Sequence, residues 1–128
     1  MHAEVFTVAT VGQVRDGLLS MVGGGWEYVQ VDMFPAQVDL VLVGVIAYAP
    51  EDYGRKHLIS VTVQGSDGRG GEFGTIRVAP STAAAVVKTP FTFPLSLTLQ
   101  GPVVLSLTAE VEDGPTFGPA EFEVRPPR

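Results

Sequence analysis

Cysteine is absent from the 128 residues. With no thiol there is no disulfide framework and no thiolate metal site, and the composition fits a reducing compartment. Histidine is nearly as scarce. His2 stands near the start and His57 directly follows Arg55-Lys56, so His57 reads as a surface residue rather than as a general base, which needs a partner to orient it. No H-E-x-x-H or similar ligand spacing occurs, and no G-x-S-x-G turn is present to carry a serine nucleophile. The Gly23-Gly24-Gly25 triplet lacks the G-x-G-x-x-G spacing of a phosphate-cradling loop, and a strand rather than a helix is expected after it. No stretch reaches the roughly 18–20 uninterrupted apolar residues of a membrane-crossing helix. The longest, residues 40–49, suits a strand buried on both faces. Met1-His2-Ala3-Glu4 puts no basic region ahead of an apolar stretch, so no secretory signal is expected and the cytoplasm is the default location. Catalytic residues, metals and cofactors are all expected to be none.

Charge is limited too, at 17% of residues, and bases are the minority: eight against fourteen acids, a net charge of −6. A field of that sign opposes phosphate backbones and anionic lipid, so neither nucleic acid nor membrane is an expected partner. The signs are unevenly placed. Arg55, Lys56, Arg69, Arg77 and Lys88 fall between residues 54 and 88 against only Asp67 and Glu72, whereas Glu110, Glu112, Asp113, Glu121 and Glu123 occupy 101–124 with no base.

What the chain does have is two-residue alternation, repeated with turn residues between. Phe91, Phe93, Leu95, Leu97 and Leu99 share one phase; Val103, Leu105, Leu107, Ala109 and Val111 repeat it; Ala120, Phe122 and Val124 follow. Successive strand side chains point to opposite faces, so each run has one apolar and one polar face. The expected fold is all-β: a single domain over residues 1–128, built as a two-layer antiparallel β-sandwich of about eight strands with immunoglobulin-like or related Greek-key topology.

The fifteen glycines and ten prolines punctuate these runs. Asp16-Gly17, flanked by apolar residues, predicts a tight hairpin turn with positive φ at both positions. Apolar residues in both phases over 38–48 predict a central strand, and Pro94 predicts an edge or a bulge in the strand over 91–99. Residues 80–88 read as a crossing between sheets, with a short helix capped by Ser81 as the alternative.

Two candidate surfaces emerge. Pairing the last two strands around a loop at 113–118 places Glu110 near Glu121 and Glu123. With Glu112 they form an acidic face, either a solubilising edge or a docking face, and Arg55 and Lys56 supply the complementary basic one. A calcium site fits less well, since no D-x-D-x-D-G series is present. Trp26, Tyr28, Phe34, Tyr48 and Tyr53 gather aromatics in the first half. Core packing accounts for them; the alternative is a small-ligand pocket at a sheet end lined by Trp26, Tyr28 and Tyr53.

The stretch from Val14 to Trp26 (VRDGLLSMVGGGW), with Pro35, the long apolar strand after it, VTVQGSDG at 61–68 and the closing hairpin into Phe122-Glu123-Val124, resembles a bacterial family of small β proteins known only as a domain of unknown function. The resemblance covers most of the chain, implies a sandwich and brings no catalytic residues. The functional expectation is therefore a non-enzymatic interaction or structural module that binds a protein partner or a second copy of itself as a homodimer. Small-ligand binding is the alternative, and an enzyme working through carboxylates alone comes third.

Overall fold

The computed structural model describes residues 1–80 and 88–127. Among the described residues the alternating runs become nine strands: β1 (His2–Arg15), β2 (Leu18–Gly24), β3 (Tyr28–Gln30), β4 (Ala36–Ala47), β5 (His57–Gly65), β6 (Gly70–Val78), β7 (Lys88–Leu99), β8 (Val103–Val111) and β9 (Thr116–Arg125), with one 3₁₀ turn at Pro50–Asp52. They form a four-stranded sheet in the order β2-β1-β4-β7 and a five-stranded sheet in the order β3-β9-β8-β5-β6. Between the two lies one apolar cluster, in which Leu42, Val61, Leu107, Phe122 and Val124 are fully buried. The inward phases are those the alternation marks: Leu95 and Leu97 from β7, Leu105 and Leu107 from β8, Phe122 and Val124 from β9. An all-β sandwich is thus the architecture.

Pairing is antiparallel except at β3. That strand runs parallel to β9, with Tyr28 opposite Glu123 and Gln30 opposite Arg125, so the five-stranded sheet is mixed at this edge. The cause is a turn at the crossing. β1 and β9 run in the same sense, from the end that holds Met1 and Pro115, and β2 runs against both. The chain reverses through Gly23 and Gly25, both at positive φ. Gly25 N–H donates to Val8 O in the first sheet, and two residues later Glu27 O accepts from Glu123 N–H in the second, so β3 sets off alongside β9 with the same sense.

β4 lies between β1 and β7, and β7, with Pro90 and Pro94, is an edge strand as Pro94 suggests. β4 is buried on both faces only in its second half, where Leu42, Val43, Ile46 and Ala47 are all covered while Gln37 and Asp39 remain exposed. The cover on the outer side comes from β1. Its pairing with β4 ends at Ala9, opposite Val41, after which it pairs with β2 alone. Gly12 then lies against Val41 and Val43; a Cβ there would stand 2.5 Å from Val43 Cγ1. The β1–β2 hairpin therefore forms a partial third layer. Between β6 in one sheet and β7 in the other, residues 81–87, where the sequence suggests a crossing or a short helix, lie outside the described residues.

Candidate interaction surface

The hairpin is built from its turn outward. Asp16 (φ 53°) and Gly17 (φ 73°) both occupy the left-handed region, as a two-residue type I′ turn demands. The register follows: Arg15 faces Leu18, Gln13 faces Ser20 and Val11 faces Val22. Alternation then sorts the side chains. Gly12, Val14, Leu19 and Met21 share the side that lies over the first sheet. Val11, Leu18 and Val22 share the opposite side with Gln13, Arg15 and Ser20, and their exposures are 54%, 70% and 68%. Val11 and Val22 are direct cross-strand neighbours. Three large aliphatic side chains thus stand in water on one small surface, which marks an interaction site more often than chance exposure does.

The segment from Gly17 to Gly25 carries no charge, and β2 is the outermost strand of its sheet. The other three sheet edges are guarded. β7 holds Pro90 and Pro94, β6 holds Glu72 and Arg77 beside a register shift, and β3 is three residues long. β2 has no such device.

The acidic residues do not converge as expected. β9 begins at Thr116, closer to β8 than a loop over 113–118 allows, because the turn closes tightly through Val111 N–H to Pro115 O and Gly114 N–H to Val111 O. The register also shifts by one residue beside Gly118-Pro119. Glu110 therefore faces Thr116, while Glu121 faces Ser106 and Glu123 faces Val104. Glu110 is separated from the other two along the strand, and no two of these carboxylates are directly opposed. Glu123 is held by Arg125 at 3.2 Å, whose guanidinium also stacks 3.9 Å over the Tyr28 ring.

Arg55 and Lys56 meet a different acid. Together with His57 they line a polar concavity of about 350 Å³ whose other wall holds Glu112 and Asp113. Part of the expected complementarity is thus arranged within one chain, as is the ion pair of Lys88 with Glu4 at 2.7 Å. Asp52, which is not among the expected site residues, is buried at this end. Its Oδ2 accepts the Ala49 N–H at 2.7 Å and the Met1 amino group at 3.1 Å, and its backbone oxygen takes His57 Nε2 at 2.8 Å. Burial pushes the Asp52 carboxyl pKa up, but the Ala49 hydrogen bond and the Met1 and His57 charges outweigh that and hold it below its ordinary value. The available signal was an acid three residues beyond Ala49, after Pro50, placed to reach back to the first free N–H of the turn. The arrangement fastens the loop ahead of β5 and leaves His57 bonded to a backbone carbonyl.

The three pocket aromatics lie apart. Trp26 packs edge-on against Phe122 at 5.3 Å and donates Nε1–H to Gly23 O at 2.7 Å. Tyr28 lies exposed beneath Arg125. Tyr53 packs on Tyr48 just ahead of β5, whereas Phe122 faces Leu105, which faces the last residue of β5, Gly65. Trp26 and Tyr53 thus occupy opposite ends of the sandwich. An apolar concavity of about 160 Å³ lies elsewhere, between the β5–β6 turn and the end of β7, lined by Val63, Phe73, Leu97, Leu99, Val103 and Leu105, and a more open one of about 370 Å³ lies beside Leu40 and Pro94.

Among the described residues no cluster of three or more His, Asp or Glu is placed to hold a metal ion, and no helix is long and apolar enough to cross a membrane. The chain matches no protein-family model, no curated protein and no solved structure.

Proposed function

We propose that the chain is a non-enzymatic interaction or structural module, resident in the cytoplasm, that self-associates through the β1–β2 hairpin. The observation that carries this reading is the outward set Val11, Leu18 and Val22 on the paired part of the hairpin, residues 9–24, where the only charges, Arg15 and Asp16, cancel. The chain as a whole repels a second copy with its net charge of −6, and this neutral apolar element is where close approach costs least. Apolar burial supplies the affinity; exposed ion pairs add little. The interlocked pairing of β4 with β7 in one sheet and β5 with β8 in the other supports an immunoglobulin-like or related Greek-key assignment, of the kind implied by the resemblance to small bacterial β proteins. The ligand-binding alternative is weakened at its expected site, because Trp26, Tyr28 and Tyr53 lie apart; the concavities that remain are the apolar one of about 160 Å³ beside Phe73, the polar one of about 350 Å³ beside His57 and the open one of about 370 Å³ beside Leu40.

The test is a double substitution, Leu18→Lys with Val22→Lys. Both side chains are exposed, so circular dichroism and melting temperature should stay close to the parent. Association should weaken by at least tenfold, about 1.4 kcal/mol, when followed by analytical ultracentrifugation. Unchanged association would place the contact on another surface.

A further inference from the structure

We propose that two copies join edge to edge through β2, antiparallel about a two-fold axis at Ser20; this rests on the self-association reading above and names its contact.

β2 is seven residues long (LLSMVGG) with neither charge nor proline, while the other three edges are interrupted, charged or very short. Hairpin geometry then fixes which backbone groups are available. In a two-residue type I′ hairpin the residues flanking the turn form a hydrogen-bonded pair, and such pairs recur at every second position. Leu18, Ser20 and Val22 therefore bond back to Arg15, Gln13 and Val11. The N–H and C=O groups of Leu19 and Met21 point away from β1, toward the free edge.

A second copy supplies the matching pattern. With the axis at Ser20, Leu19 faces Met21 of the second copy and Met21 faces its Leu19. Each of those pairs exchanges two backbone hydrogen bonds, so the groups that are free on one copy meet the groups that are free on the other. On the outward side Leu18 meets Val22 of the second copy, and Val22 meets its Leu18. These are the two most exposed side chains of the hairpin, and they are placed symmetrically about Ser20. Their neighbour Val11 extends the apolar row at either end. No like charges meet, because the whole of β2 is uncharged; a chain of net −6 can pair with itself here without opposing carboxylates. Closed two-fold pairing also ends growth at two copies, each four-stranded sheet becoming half of an eight-stranded one. The mutually paired stretch, residues 18–22, is roughly 16 Å long at about 3.3 Å per residue. That length sets an interface in the small, transient class below about 1,200 Å², and hence a concentration-dependent equilibrium rather than an obligate dimer.

Because the chain has no cysteine, a single introduced thiol reports on this contact without background. In the proposed register Ser20 opposes its own copy in a non-hydrogen-bonded pair, with Cα atoms about 4.5 Å apart, within disulfide reach. Ser20→Cys should form a covalent dimer on mild oxidation at concentrations where the parent is dimeric by light scattering. Glu110→Cys, on the far sheet, should stay largely reduced. Independently, Met21→Pro removes an outward N–H that β1 does not use, so the hairpin keeps its ladder while dimerisation weakens by about tenfold or more. A parent that dimerises, with Ser20→Cys cross-linking no faster than Glu110→Cys and Met21→Pro without effect, would overturn the β2 pairing and leave self-association standing. A parent that remains monomeric at high micromolar concentration would overturn both, and would leave the edge to a strand from another protein.

Discussion

Leu107 has no exposed surface, facing Val63 on one side and Ala120 on the other at the centre of the five-stranded sheet. Truncation to alanine leaves a cavity that paired strands cannot easily close. Leu107→Ala should cost about 2–5 kcal/mol in denaturant unfolding; a loss under about half a kcal/mol would place that face in solvent. Asp52 makes a pH-dependent contribution of determinate sign. Its folded-state pKa lies below the unfolded value of about 3.9. The stabilisation is therefore complete above the unfolded value and disappears as pH falls through the folded one. The melting temperatures of the parent and Asp52→Asn should differ at neutral pH and converge on acidification below about pH 4. A gap that persisted unchanged into strong acid would show that the carboxylate charge is not what fastens the loop. Neither His57 nor its neighbours announce this role in the sequence, because the acid that matters is recognisable only once the turn at Pro50 has formed.

At the level of elements, the hairpin joins a legible part to an illegible one. Asp16-Gly17 between apolar runs specified the turn, and both residues adopt positive φ. A Cβ on Gly17 would meet nothing within 4 Å, so any penalty there is conformational. Gly17→Val should lower stability by about 1–2 kcal/mol through the left-handed backbone alone; an unchanged melting temperature would mean the turn relaxes into another geometry. What the residues do not disclose is that Leu18 and Val22 face water. Apolar strand residues read as core, and only the departure of β1 from β4 after Ala9 turns this pair outward. Register is hidden for a similar reason. Alternation assigns Glu121 and Glu123 to the outer face correctly. Their partners depend on where the Asp113-Gly114 turn closes and on a one-residue shift beside Gly118-Pro119, neither of which periodicity records.

Across the whole molecule, the sandwich follows from hydrophobic phase, whereas sheet membership depends on crossings. Phase marks Leu97, Leu107 and Phe122 as inward whichever sheet carries them, so that part of the core is readable from the sequence. The parallel seat of β3 on β9 is not, since three residues carry too little pattern to name a neighbour. Charge was legible in amount and misleading in arrangement. The basic Arg55-Lys56 step shares a concavity with Glu112 and Asp113 of its own chain, which leaves less opposite charge to orient a second copy. Association through the hairpin is then expected to be governed by apolar contact and to respond weakly to salt. The most direct measurement is the molar mass in solution by multi-angle light scattering, from low to high micromolar concentration, at low and at high salt. The account predicts a mass that climbs from the 13.5 kDa of one chain toward twice that value in both buffers. A mass fixed at 13.5 kDa throughout the range, at both salt levels, would contradict it.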